Sequence, residues 1–221
     1  MSKEISHIMI KRYIVEVCRE LVKKKLTHGS SGNMSVFLRD KGLVFITPSG
    51  IRYIDMLPEQ IAVLTLEGKQ VEGDYKPTIE TPMHLTIYRN RPDVNAIVHT
   101  HPVYTSALAI AREPLPPVTE EFIIYVGGTV DVAKFGGAGT QELADNVLEA
   151  LKDKKAAIMP NHGLITVGKD LKEACFINEV VEIHAQMYLM AKIFGKAFSI
   201  PEDAISRWKK VYYQRTRIKE Y

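Results

Sequence analysis

The 221-residue sequence predicts an α/β fold built on a mixed or largely antiparallel sheet. Segments with apolar residues at 3.6-residue spacing alternate along the chain with short β-branched and aromatic runs. Two pairs of those short runs are joined by tight glycine-bearing turns, the pattern of hairpins, whose strands are antiparallel. No internal repeat, low-complexity tract or Pro/Gly/Ser-rich linker divides the chain, so it reads as one domain spanning residues 1–221.

Each element has its own signal. From Ile5 to Lys25, Ile10, Ile14, Val17 and Leu21 follow helical spacing, with Tyr13 and Cys18 beside them. Met34 to Leu38 and Leu43 to Ile46 form a hairpin around Asp40-Lys41-Gly42, and Ala62 to Leu66 pairs with Val71 around Glu67-Gly68-Lys69. Thr81-Pro82 starts a helix, because proline in the first turn loses no intrahelical bond; Arg91-Pro92 ends it after Asn90. Ala96 to His101 is a strand that Pro102 stops, and a helix runs through Ser106 to Ala111. Gln141 to Lys152 is a helix, Ala156 to Met159 and Leu164 to Val167 are buried-type strands, and the longest helix covers Leu171 to Phe194. Ile177, Val181, His184, Tyr188 and Ala191 make one stripe of that last helix. Arg207 to Tyr221 reads as a basic, solvated helix or as a tail reaching an active site.

Composition narrows the function. At 46% hydrophobic the chain can bury enough surface to offset the entropy of folding, which excludes disorder. A net charge of +3, dispersed along the chain, points to neither nucleic acid nor an anionic membrane as partner. Two cysteines, Cys18 and Cys175, cannot make a disulfide framework or a cysteine-built zinc site. No apolar run approaches the ~18 residues that span a bilayer. Met1 to His7 lack the basic-then-apolar layout of a signal peptide, and a cytoplasmic protein is expected.

Three of the seven histidines are badly placed for a plain core. His99 and His101 close an apolar strand, and side chains two apart on a strand point to one face. His162 follows another strand end, with Gly163 behind it to permit a sharp turn. Three imidazoles leave one position open on a divalent ion, the arrangement of catalytic zinc. His7, His28, His84 and His184 read as structural, His184 as a core or interface residue. Glu80, just before the Thr81-Pro82 helix start, reads locally as a carboxylate favoured by the helix dipole; it joins the histidines only if that helix start faces them. Gly29 to Asn33 and Thr47 to Gly50 are turns of small residues whose backbone N–H groups suit an anion. Neither is a P-loop, and Gly136-Gly137-Ala138-Gly139 fails the dinucleotide fingerprint at Glu142, which disfavours a nicotinamide dehydrogenase.

Taken in order, GSSGNMS (Gly29–Ser35), TPSG (Thr47–Gly50), PTIE (Pro77–Glu80), HTHP (His99–Pro102) and NHGLI (Asn161–Ile165) closely resemble the class II aldolase/adducin family. That family includes L-fuculose-1-phosphate aldolases, which the motifs resemble most, pentulose-phosphate 4-epimerases and methylthioribulose-1-phosphate dehydratases. The resemblance implies a three-layer α/β/α sandwich around a mixed, mostly antiparallel sheet, and a C4 homotetramer with active sites at subunit interfaces. It implies that His99, His101 and His162 hold Zn2+, with Mn2+ or Co2+ also suited, and that Glu80 is the catalytic acid/base and touches the metal. It further implies a phosphate site at Gly32, Asn33, Ser49, Gly50 and Thr78, and an assisting C-terminal tyrosine at Tyr212. The implied substrate is a small sugar phosphate: a ketose 1-phosphate, L-fuculose 1-phosphate or a related deoxyketose phosphate, cleaved reversibly to dihydroxyacetone phosphate and an aldehyde.

Two positions depart from the aldolase pattern. Thr78-Ile79 replaces a Ser-Ser pair before the glutamate, so Ile79 offers a backbone N–H but no hydroxyl. The interface tyrosine of the fuculose-phosphate aldolases falls at Glu121 here, beside Glu120, with Tyr125 out of register. Dehydratase relatives use a glutamate in this stretch and keep one at position 80, so a dehydratase stands as the alternative. The 4-epimerases carry aspartate where Glu80 stands, and the non-enzymatic adducin head has lost the histidines this chain keeps.

Overall fold

The computed structural model describes the backbone of residues 2–218 and the side chains of residues 7–218. The chain runs α1 (Ser2–Lys23), β1 (Asn33–Leu38), β2 (Leu43–Ile46), a 3-10 turn (Pro58–Gln60), β3 (Ala62–Thr65), β4 (Gln70–Glu72), α2 (Thr81–Asn90) and β5 (Ala96–Thr100). It continues through α3 (Val103–Ala111), α4 (Glu120–Val126), α5 (Gln141–Leu151), β6 (Ala156–Met159), β7 (Gly163–Gly168), α6 (Leu171–Phe194) and α7 (Glu202–Thr216). The seven strands form one sheet in the order β4-β3-β2-β1-β5-β7-β6, antiparallel at every pairing. The expected mixed sheet thus narrows to an antiparallel one, with a single parallel bridge, Val132 to Ile158, outside the strands.

Period-2 alternation assigns each strand residue to a face, and both faces are covered. Ile97, Ile165, Val167, Val44 and Leu64 pack under α2 and α5 with Met83, Ile87, Val147 and Leu151. Val98, Ala96, Phe45 and Val63 pack on the opposite side against α1, through Ile14, Val17 and Leu21, and against the start of α6. Ala156, Ile158 and Leu164 extend that second face under α3, α4 and α6. The result is three layers, helix on sheet on helix, and His99 shares the α2 side with Ile97 because the two are two residues apart.

Helix α4 carries a signal that the apolar run Phe122-Ile123-Ile124 obscures. Thr119 Oγ1 accepts from the Phe122 N–H as an N-cap, and Gly127, at φ +100°, closes the helix in the left-handed region. The expected basic helix at 207–221 begins earlier, after Pro201, and its last three positions lie outside the described residues. No helix among the described residues is long and apolar enough to cross a membrane.

Candidate active site

The end of β5 and the β6–β7 turn build the centre together. Strand β5 pairs with β7 so that His99 stands opposite Ile165 and Thr100 opposite Leu164. Asn161, at φ +55°, turns the chain into His162. Gly163 then lies flat on β5: a Cβ there would sit 2.4 Å from the Thr100 carbonyl oxygen and 2.7 Å from His101 Cδ2. Gly32 plays the matching part at the start of β1, where a Cβ would meet the His99 carbonyl oxygen at 2.4 Å and φ is +80°.

The three ring nitrogens converge. His99 Nε2 lies 3.0 Å from His101 Nε2 and 3.2 Å from His162 Nε2. His99 Nδ1–H donates to the Leu164 carbonyl at 2.9 Å, which orients the ring so that its Nε2 faces the other two. Burial and the neighbouring ring charges of His99 and His162 push His101 down to about 3; burial, then His99, lowers His162. Ring nitrogens converging at this spacing are a donor set for a cation rather than for one another. Tetrahedral ligands at ~2.0–2.1 Å from zinc stand about 3.3–3.4 Å apart, close to the spacing seen here. The three histidines are the one such cluster among the described residues.

Glu80 completes the set. It occupies the N-cap position of α2, yet its side chain makes no capping bond. Instead Oε2 lies 3.2 Å from His99 Nε2 and Oε1 3.3 Å from His162 Nε2. The helix start does face the histidines, which sets the Glu80 carboxylate beside the ring nitrogens. Burial alone would raise the Glu80 pKa, but the His99 and His162 charges and a hydrogen bond from Asn33 outweigh it and hold the carboxyl below its usual range. Three imidazole nitrogens and one carboxylate fit a divalent cation.

A cavity of about 190 Å³ opens from this cluster. Gly32, Asn33, Ser49, Gly50, Thr78, Glu80, His99, His101 and His162 all line it, so nine of the ten candidate residues meet in one place. The Asn33 side chain, however, is committed to Glu80 and His84, at 2.8 and 2.6 Å. An anion would therefore meet the Gly32 and Gly50 turns, Ser49 and Thr78 rather than that amide. Ile79 and Ala138 also line the cavity.

The family model described as "Class II Aldolase and Adducin N-terminal domain" matches residues 12–189. This chain belongs to the class II aldolase/adducin family. It is 38% identical over 199 residues to the 5-deoxy-D-ribulose 1-phosphate aldolase of Bacillus thuringiensis serovar kurstaki, covering 90% of this chain and 93% of that one. It is 40% identical over 177 residues to an L-fuculose phosphate aldolase of Methanococcus maripaludis, covering 80% and 94%. A solved L-fuculose 1-phosphate aldolase superposes with a TM-score of 0.88 at 36% identity, covering 95% of this chain and 96% of that one. These relatives are named aldolases, which are lyases, and class II aldolases are metal-dependent.

Tyr212 is the candidate that the fold of this chain does not bring to the cavity. Its ring is fully buried, and a Cβ on Gly127 would sit 2.7 Å from it, so glycine makes room for the packing of α7 on α4. Its hydroxyl donates to the Asp153 carbonyl at 2.7 Å. Tyr213 meets the Asp153 carboxylate, and Tyr125 packs edge-on against Phe176 with the Arg215 guanidinium 4.5 Å above its ring. Glu120 and Glu121 lie exposed in the first turn of α4. His184 is a satisfied core residue, bonded to the Val180 carbonyl and to Thr119 Oγ1. His84 is different: buried and four residues from Glu80, it touches the site through Asn33. Its spacing from Glu80, one helical turn, was the available signal.

Proposed function

We propose that this chain is a divalent-metal-dependent aldolase that reversibly cleaves a ketose 1-phosphate into dihydroxyacetone phosphate and an aldehyde. The observation that carries the reading is the meeting of three ring nitrogens and the Glu80 carboxylate, 3.0–3.3 Å apart, at one end of a cavity rimmed by Gly32, Ser49, Gly50 and Thr78. His99, His101 and His162 would hold the ion, with Glu80 beside it. A bound divalent cation supplies Lewis acidity toward the ketose carbonyl, worth several kcal/mol in the transition state. Zinc suits this set, and manganese and cobalt also accept it.

The chain's own groups do the rest. In the condensation direction Glu80, held ionised at the cation site, takes the proton from the carbon that forms the new bond, and the aldehyde oxygen takes up a proton from solvent as it becomes a hydroxyl. On cleavage that hydroxyl gives its proton back to solvent and Glu80 returns its own to the carbon. General acid–base help of this kind is worth ~10²–10⁴-fold. Ser49, Thr78 and the backbone turns at Gly32 and Gly50 hold the phosphate. The exposed Ile79 side chain puts an apolar wall beside that site. The named relatives act on L-fuculose phosphate and 5-deoxy-D-ribulose 1-phosphate, and a deoxyketose phosphate suits that wall.

The reading extends to the whole chain, a single domain over 1–221, assembled as a homotetramer. Phe176, Ile183, Met187, Met190 and Phe194 form an exposed apolar stripe along α6, which supports self-association. Two free cysteines suit the reducing cytoplasm. The experiment is incubation of the metal-loaded protein with a panel of ketose 1-phosphates, L-fuculose and 5-deoxy-D-ribulose 1-phosphates among them, with coupled detection of dihydroxyacetone phosphate. Its release supports the aldolase; loss of water from a substrate without its release would establish a dehydratase instead.

A further inference from the structure

Behind Glu80 runs a buried line of polar groups that the proposed reaction does not yet use. Tyr88 Oη lies 2.7 Å from Ser35 Oγ, which lies 2.6 Å from His84 Nδ1. His84 Nε2 lies 2.6 Å from Asn33 Oδ1, and Asn33 Nδ2 lies 2.8 Å from Glu80 Oε2. All five side chains are buried. His84 and Tyr88, spaced by four, share one face of α2, and the N-cap Glu80 lies four residues before His84; Asn33 and Ser35 are spaced by two and share one face of β1. The two periodicities meet to make a continuous line.

The direction of every bond follows from its ends. An ionised carboxylate only accepts, so Asn33 turns its amide nitrogen to Glu80 and its oxygen to His84. That oxygen only accepts, so His84 Nε2 carries the proton. Burial pushes the His84 pKa down to about 3, which leaves a neutral ring with one N–H and a bare Nδ1. Ser35 therefore donates to Nδ1, and Tyr88 donates to Ser35.

We propose that His84 is the positioning residue for Glu80: it fixes the Asn33 amide, which pins Oε2 and leaves Oε1 as the oxygen that exchanges the substrate proton. The inference rests on Glu80 being the acid/base. A glutamate's terminal torsion is broad and two-fold, so an unpinned carboxylate samples orientations that a pinned one does not. Oε1 has no hydrogen-bond partner among the described residues, whereas Oε2 has Asn33. Without His84 the Asn33 amide is free to turn its oxygen to the carboxylate, and the pin is lost.

The test has two arms. In the unmodified protein, nitrogen NMR of labelled histidine should show His84 neutral and protonated at Nε2 from about pH 6 to 8, with the signal assigned by its loss in His84→Gln. Protonation at Nδ1 would overturn the proposal, since Asn33 would then face Glu80 with its oxygen. In the metal-loaded enzyme, His84→Ala should lower kcat roughly 10- to 100-fold with KM within about twofold and metal content unchanged. His84→Gln, whose amide both donates and accepts, should restore kcat to within about threefold. Wild-type kcat in His84→Ala, or a loss traced to missing metal, would overturn the proposal. If His84→Ala does not fold, the tautomer and the Gln variant decide. Glu80→Gln separates the two readings: if it still turns over, the role of Glu80 falls and this inference with it. If it is inactive while His84→Ala is fully active, only this inference falls.

Discussion

Acidification should weaken the fold in a pH range set by His84. Its folded-state pKa is about 3, against an ordinary value near 6.5, because burial disfavours the charged ring. Between those values the unfolded chain binds a proton that the folded chain does not, so stability is full above about pH 6.5 and is lost as the pH falls toward 3. For this one group the loss from about pH 7 to about pH 5 is about 2 kcal/mol. The lowered pKa values of His101 and His162 act in the same direction. The depressed carboxyls Glu80 and Asp93 lose their contribution only below the usual carboxylate range, so they leave this range clear. The assay is urea unfolding of chelator-treated protein at fixed concentration across that range, for the wild type and His84→Gln. The wild type should lose about 2 kcal/mol more than the variant. Because only the pH dependence is compared, any constant cost of the substitution cancels. Equal losses in the two proteins would refute a neutral, proton-excluding His84.

Other perturbations probe the remaining parts. Gly163→Ala puts a methyl 2.4 Å from the Thr100 carbonyl oxygen and 2.7 Å from His101 Cδ2, so β5 and the His162 turn must separate. It should cost about 1–3 kcal/mol and reduce metal content; wild-type melting with full metal by elemental analysis would contradict it. Tyr212→Phe removes the buried bond to Asp153 and should cost about 1 kcal/mol while leaving turnover within about twofold. A hundredfold loss of kcat would restore this tyrosine as a proton carrier. Metal removal by chelation should lower the melting temperature and zinc should restore it, since an ion bound only by the folded state stabilises it by mass action; a melting temperature indifferent to zinc would argue against the site.

Local rules made much of this legible in the sequence. The bounds of α2 follow from Thr81-Pro82 and Arg91-Pro92, and the helical run of α6 from the stripe Ile177 to Ala191, each a signal within a few residues. The pair His99 and His101 was readable because alternation on a strand is strict, and His162 because a glycine follows it at a strand end. What escaped depends on distant partners. Nothing near Glu80 says that the start of α2 faces β5, and only tertiary packing sets its carboxylate against His99. Nothing near His84 says that β1, about fifty residues upstream, supplies Ser35 and Asn33 to both of its nitrogens. Position near the C-terminus says nothing of where the Tyr212 ring goes; its burial against Gly127 sets that. Helix α4 was hidden because seven residues rich in isoleucine and aromatics carry little periodicity, while its cap and its closing glycine carry the information.

The central claim is that one divalent ion on His99, His101 and His162, with Glu80 beside it, drives cleavage of a ketose 1-phosphate. The direct test is to strip the protein of metal and follow dihydroxyacetone phosphate release as zinc is titrated back. Release should be absent at the start, rise in proportion to added zinc and saturate near one ion per chain, with no recovery in His99→Ala. Full release from the stripped protein, or equal recovery in His99→Ala, would contradict the account.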